Sequence, residues 1–427
     1  MRQSRDYLAP LLARVTDITV ERAQGCYLYT TEDQRILDFT SGYGVTSTGH
    51  CHPKVVAAIQ QQAERLLHGQ QNLMYHPTLL ELIDKLHQVL PSHLDRFFFQ
   101  NSGADAVESA VKVVRQASKK TNIIVFQNGF HGRTALTGSL STSKVRHREG
   151  WQPLVAGIFV APYPYAYFYG WDEEETSAWC LQQIRHMLHT QTAPEETAAV
   201  IIEPILGDGG FVPAPTSFLR GLRQICDENG IVLLFDEIWS GWGRSGKLFA
   251  YQHTDNLQPD ILIMGKGLAS GLPISAIAAA AALVEKCPPG SDGGTLSGNP
   301  VSCAAARASI EVILEEGLTE NAARRGAQLM DLLRRVQEEI GFVGEVRGRG
   351  LMVGLELSGT DGSPDVEITR AVQQACLTRH MLIATCGPYG NIFRWAPPLV
   401  VNEAQIEEGV SIFREALLAA TKKRGQR

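Results

Sequence analysis

The stretch Ile231-Val-Leu-Leu-Phe-Asp-Glu-Ile-Trp-Ser-Gly-Trp-Gly-Arg-Ser-Gly246 decides how the chain is read. Five apolar residues run into two acids, and a glycine-rich turn follows. The run is too short for a helix and apolar at every position, which predicts a parallel strand buried on both faces. In open α/β sheets the ligand lies beyond the carboxyl ends of such strands. Asp236 comes directly off the apolar run at such an end. A carboxylate there needs a cationic partner.

Two nucleotide motifs lie close by. An apolar strand ending in Asp-Glu also suits the metal-binding strand of a P-loop ATPase, and Gly241-Trp-Gly-Arg-Ser-Gly-Lys247 approaches the matching phosphate loop. Leu248 stands where that loop requires Ser or Thr, and the loop follows the acids instead of preceding them. The same glycines spell GxGxxG, which must open a helix, yet Lys247–His253 has no convincing helical period. A different partner lies downstream. Pro259-Asp-Ile-Leu-Ile-Met-Gly-Lys266-Gly is a second apolar strand that ends in a lysine between glycines. Apolar surroundings disfavour the charged form of a lysine and make its amine available as a nucleophile. Lys266 one strand beyond Asp236 suggests pyridoxal phosphate chemistry, with the lysine forming the Schiff base and the aspartate holding the pyridinium nitrogen.

With these two strands in that order, the sequence resembles a class III (ω-amino acid type) pyridoxal-phosphate aminotransferase, near the 4-aminobutyrate transaminases. The resemblance runs from about Gly25 to about Val401. It implies an α/β fold of the aspartate aminotransferase-like type (fold type I). That fold has a large, mostly parallel central sheet and a small α+β domain. Residues 1–60 are expected to join the small domain, 61–317 to form the large cofactor domain and 318–427 to complete the small one.

The remaining motifs fall into place along the chain. Cys26-Tyr-Leu-Tyr and Arg35-Ile-Leu-Asp-Phe read as a hairpin. Ser41 to Pro53 is a glycine-rich loop before a helix; its His50 and His52 lack further ligands nearby and are not read as a metal pair. The resemblance makes Tyr43 in this loop a pocket residue. Asp95 to Asp105 reads as strand, turn and helix, with Ser102, Gly103 and Ala104 at a helix start suited to a phosphate. The bland alternative is a plain cap by Asn101 or Ser102. Gln127 to Thr134 follows another strand. There the resemblance makes Phe130 and Ile238 the two faces of the cofactor site, adds His131 to it, and gives Arg133 the carboxylate of an ω-amino acid. Ala161-Pro-Tyr-Pro-Tyr-Ala-Tyr-Phe-Tyr-Gly170 reads as an aromatic loop. Glu203 ends a further apolar strand, and the resemblance places it beside the cofactor ring. Asp208 stands where relatives carry the glutamate that pairs with a movable arginine, one methylene longer. Arg394 matches that arginine, which would clamp the α-carboxylate of glutamate or 2-oxoglutarate. Thr295 would reach the phosphate of a neighbouring subunit, making a homodimer or dimer of dimers. Trp239 replaces the usual glutamine against the cofactor, Gly265 the usual alanine, and Leu296 a common aromatic.

Composition narrows the partners. A net charge of -6 disfavours nucleic acid and anionic membrane. Eight cysteines without a Cys-x-x-Cys pair fit free thiols better than disulfides or zinc. Met1 to Asp6 lacks the apolar core of a signal peptide, and Ile274 to Val284 is too short to span a bilayer, so a cytoplasmic protein is expected. The expected reaction transfers an amino group from an ω-amino acid or amine to a 2-oxo acid such as 2-oxoglutarate or pyruvate. A general amine transaminase, a racemase or epimerase, and a decarboxylating transaminase remain alternatives on the same fold, with the P-loop ATPase outside it.

Overall fold

The computed structural model describes residues 7–255, 257–359 and 361–425. Met1–Asp6, read above for a signal segment, lie outside them. A seven-stranded sheet is its centre, in the order Arg96–Gln100, Ser275–Ala279, Ile261–Met264, Val232–Asp236, Thr197–Ile202, Asn122–Phe126, Ile158–Ala161. The five strands from Ile261–Met264 to the far edge run parallel. Ser275–Ala279 is antiparallel to both of its neighbours. That strand was read in the sequence only as a small-apolar run, because alanine favours strands weakly.

The parallel strands are apolar on both faces because helices cover both. Ile123, Val125, Ile201, Leu234, Ile261 and Ile263 pack with Val107, Val111 and Val114 of the helix Gly103–Ser118. The residues between them, such as Ile124, Ile202, Leu233, Phe235 and Leu262, join a second core with Phe218 and Leu222. With a period of two, Asp236 falls on the same face as Leu234. The C-terminal ends of the parallel strands therefore deliver Asp236, Glu203 and Lys266 to one edge, and Gln100 brings the start of the helix Gly103–Ser118 to it.

The last hundred residues build a four-stranded antiparallel sheet from Val343–Arg349, Met352–Leu357, Ile392–Trp395 and Ala384–Cys386. The helix Leu318–Glu339 buries Ala322, Leu329, Leu333 and Val336 at helical spacing, while Leu332 is only partly covered. The expected N-terminal hairpin forms between Tyr27–Thr30 and Arg35–Asp38. Its second strand pairs in parallel with Met381–Leu382, so the two ends of the chain share a sheet. Two stretches read as loops contain a helical turn, Ser41–Gly44 and Ala166–Tyr169. In the first, Gly42 and Tyr43 have left-handed φ, which no hydrophobic period signals.

The tie between the chain ends has a measurable core. The Phe39 ring is fully buried, 5.2 Å from Trp395 edge-to-face, and presses on Gly409 of the terminal helix. Phe39→Ala should destabilise the protein by about 3–5 kcal/mol, read as a lowered thermal midpoint. A loss below about 1 kcal/mol would show that the N-terminal segment is not part of this core.

Candidate active site

The site grows from the edge where the strands end. Asp236 closes the strand Val232–Asp236 and is 3% exposed. Its Oδ2 lies 2.7 Å from His131 Nδ1, and its Oδ1 accepts the Ile238 N–H at 3.1 Å. Burial opposes a charge on His131, but the Asp236 contact outweighs it and raises the imidazole pKa. His131 is thus the hydrogen-bonding partner that a buried carboxylate at this strand end requires.

Lys266 follows the neighbouring strand with φ +42°, a left-handed conformation that turns the chain sharply out of the sheet. Burial lowers its pKa to about 8, although Asp236 and Glu203 oppose that shift. Its Nζ lies 5.6 Å from the centre of the Trp239 ring. Glu203 is 4% exposed, and burial pushes its pKa up to about 7. One of its oxygens accepts the Phe130 N–H at 2.8 Å and the other the Gly207 N–H at 2.9 Å. Its carboxylate therefore fastens the Phe130 loop to the Gly207 loop, a role that no local pattern in the sequence discloses.

The helix start is organised as the sequence suggests. Ser102 caps the helix Gly103–Ser118, and Asp105 completes a capping box with it. The Asp105 carboxylate accepts the Ser102 N–H at 3.0 Å. The N–H groups of Gly103 and Ala104 keep no acceptor within the helix. A Cβ on Gly103 would stand 2.9 Å from Ile238 Cδ1, so glycine lets the helix start meet that side chain without displacing it. Gly265, by contrast, has room for a methyl at 3.5 Å from Ile238 and Ser275, so the absence of the usual alanine leaves the local packing intact.

Phe130 is half-buried, edge-on to His147 at 5.1 Å, with the Arg133 guanidinium 5.4 Å above its ring. Arg133 itself is exposed. Arg394 stands on the strand Ile392–Trp395 of the small sheet, 4.8 Å from the Tyr43 ring. It reaches Asp208 at 3.5 Å, so the shorter acid still makes the pair. Trp239 fills the middle, 4.7 Å from Phe211, and Gly44 and Gly207 would each put a Cβ within 3.0 Å of its indole. Thr295 lies apart from this group, exposed on the Gly293–Asn299 loop beside exposed Leu296.

A buried lysine of lowered pKa beside a buried, paired carboxylate, facing a helix start with free N–H groups, fits pyridoxal phosphate. Residues 11–417 match the sequence pattern of the family described as aminotransferase class-III. The chain belongs to the class-III aminotransferases. A probable 4-aminobutyrate aminotransferase of Bacillus subtilis is 37% identical over 404 residues, 93% of this chain and 92% of that protein. A 5-aminovalerate aminotransferase of Pseudomonas putida is 33% identical over 95% of this chain and 94% of its own. A solved amine transaminase from an uncultivated Pseudomonas species, with pyridoxal phosphate bound, superposes with a TM-score of 0.91 at 28% identity, covering 97% of this chain and 98% of that one. The enzyme is a pyridoxal-phosphate transferase of fold type I. Among the described residues, no helix is long and apolar enough to cross a membrane.

The Lys266 environment sets a rate. The neutral amine is the nucleophile, so cofactor-free protein should react with an aldehyde probe faster as pH rises, with a midpoint near 8. Stopped-flow absorbance would follow it, and Lys266→Ala should remove the reaction. A midpoint near the free lysine value of about 10.4 would contradict a buried amine.

Proposed function

We propose that this class-III aminotransferase moves the amino group of an ω-amino acid of the 4-aminobutyrate type onto a 2-oxo acid. The observation that carries the reading is the pair of cations beside the site, Arg394 under Tyr43 and Arg133 over Phe130. Two cations from separate elements suit substrates with a carboxylate at either end. The names of the Bacillus and Pseudomonas relatives support the same class of donor.

Pyridoxal phosphate, when bound, supplies an electron-withdrawing ring that makes a proton on the neighbouring carbon removable. We assign Lys266 the covalent attachment and, once its amine is free, the transfer of that proton at Nζ; a pKa of about 8 suits both acceptance and donation. Asp236, held by His131, keeps a proton on the ring nitrogen. Ser102 with the Gly103 and Ala104 N–H groups takes the phosphate, while Phe130 and Ile238 exclude water from the ring faces. Glu203 fixes the Phe130 loop that carries this contact. Trp239 occupies space beside Lys266 and narrows the room for substituents there. Tyr43 closes over Arg394.

Thr295 is assigned to the phosphate of a second copy, so the working unit is a homodimer. Leu67, Leu73, Met74 and Tyr75 are exposed at 62–82%, on the segment from which Leu67 holds Asn299 of the Thr295 loop. Such an apolar surface favours burial against a partner. Sedimentation should give two or four times the chain mass, and an active monomer would refute the assignment. The domain division at residues 60 and 317 and a cytoplasmic location belong to the same reading, the latter supported by eight free cysteines.

A second reading, a general amine transaminase, draws on the exposure of Arg133 and the likeness to the Pseudomonas amine transaminase. One measurement separates the two. Arg133→Ala should slow the half-reaction with 4-aminobutyrate about 10-fold or more while changing that with a simple amine little, since a charged hydrogen bond is worth about 1.5–3 kcal/mol. Equal slowing of both, followed by the cofactor spectrum, would favour the amine transaminase.

A further inference from the structure

Asp208 carries two cations. Its Oδ1 lies 3.3 Å from Lys144 Nζ and 3.5 Å from Arg394 Nη1. The three side chains are 13%, 14% and 10% exposed for Lys144, Asp208 and Arg394, so the cluster is largely removed from water. Burial pushes the Asp208 carboxyl up, but Arg394 and Lys144 more than reverse it and hold it at about 2. Burial also lowers the Lys144 pKa, and Asp208 opposes that shift. Arg394 keeps hydrogen-bonding capacity in reserve. Besides the long contact with Asp208, its Nη2 donates to the Thr385 carbonyl at 2.9 Å, and its buried Nε has no acceptor among the described residues.

The two cations come from different parts of the molecule. Lys144 lies on the segment between the helix Ala135–Leu140 and the turn Val145–His147, close to the Phe130 loop. Arg394 belongs to the small sheet. We propose that Lys144 is the resident counter-ion of Asp208, which frees Arg394 to bind the carboxylate of a 2-oxo dicarboxylate. This rests on the reading of Arg394 as a carboxylate clamp.

The argument is one of charge. Lys144, Asp208 and Arg394 together carry one surplus positive charge, and an incoming carboxylate neutralises it. Without Lys144, Asp208 and Arg394 neutralise each other. Drawing Arg394 toward a ligand would then strand a buried carboxylate, which is strongly disfavoured. Lys144 thus acts through Asp208 as a positioning residue and does not touch the substrate.

The test is the binding of glutarate, an unreactive dicarboxylate, to cofactor-loaded protein by calorimetry. Lys144→Met should weaken glutarate about 10-fold or more, and Lys144→Arg by no more than about threefold. Adding Asp208→Asn to Lys144→Met should restore affinity, because no carboxylate is left to strand. Lys144→Gln replaces Lys144→Met should the latter not fold. Unchanged affinity in Lys144→Met would overturn the proposal. So would a double variant as weak as the single one, which would mean that Lys144 meets the ligand directly. Arg394→Met separates the underlying reading: if it leaves glutarate affinity unchanged, the clamp itself is wrong. If Arg394→Met weakens binding and Lys144→Met does not, only the counter-ion role falls.

Discussion

A carboxylate buried at the end of a parallel strand is the constraint on which the rest of the site depends. Asp236 must be matched, and His131, 2.7 Å away, matches it from the loop after Asn122–Phe126, two strands along the sheet. The adjacent acids solve the same problem by other means. Glu237 is fully buried and accepts the backbone N–H groups of Ala250 and Tyr251 and the Ser240 hydroxyl. Glu203 accepts two backbone N–H groups from two different loops. Each carboxylate that the sheet buries therefore pins a neighbouring segment, and those held by Asp236 and Glu203 carry Phe130 and His131 of the site. Electrostatic need and loop order are the same interaction seen from two sides.

The other half of the site comes from the small sheet, and polar contacts register the two parts. The Gly387 N–H donates to the Asp208 carbonyl at 2.9 Å. Arg347 Nε donates to the Gly210 carbonyl at 3.1 Å, and its guanidinium also meets Glu356, which accepts the Tyr165 hydroxyl. The Asp208–Gly210 turn is thus gripped from behind by the small sheet. Arg244 adds a second seam. Wholly buried, it donates to the carbonyls of Leu351 and Pro397 and to Ser41 Oγ, and burial lowers its pKa to about 9. The glycine-rich loop that mimics a phosphate loop in sequence is occupied in joining parts of the protein.

What could be read in the sequence follows from how local each signal is. Asp236 and Lys266 terminate short apolar runs, and buried strands write themselves as such runs. The cap at Ser102 and the stripe of the helix Leu318–Glu339 are equally local. The roles of Tyr43, Thr295, Asp208 and Arg394 came from family resemblance, since nothing within a few residues of them distinguishes a pocket from a surface. Lys144 left no trace at all. It lies 64 residues before Asp208, and only the packing of the Phe130 loop against the Gly207 loop brings the two together. The pairing of His131 with Asp236 spans 105 residues and was invisible for the same reason. The mostly parallel sheet was legible, but its strand Ser275–Ala279 was not, because an alanine-rich strand looks like a helix fragment or a linker.

Trp239 has a consequence for anyone redesigning the site. Its indole is accommodated because residues 44 and 207 have no side chains, and Phe211 closes its flank. Shrinking Trp239 alone opens a void between two glycines that cannot fill it, and enlarging either glycine alone collides with the ring. Positions 207 and 239 therefore behave as one epistatic unit, while Gly44, at φ +79°, is held to glycine by its backbone as well. Libraries that vary 207 and 239 one at a time would sample mostly damaged proteins, whereas combinations that trade bulk between the two would reach new pocket shapes.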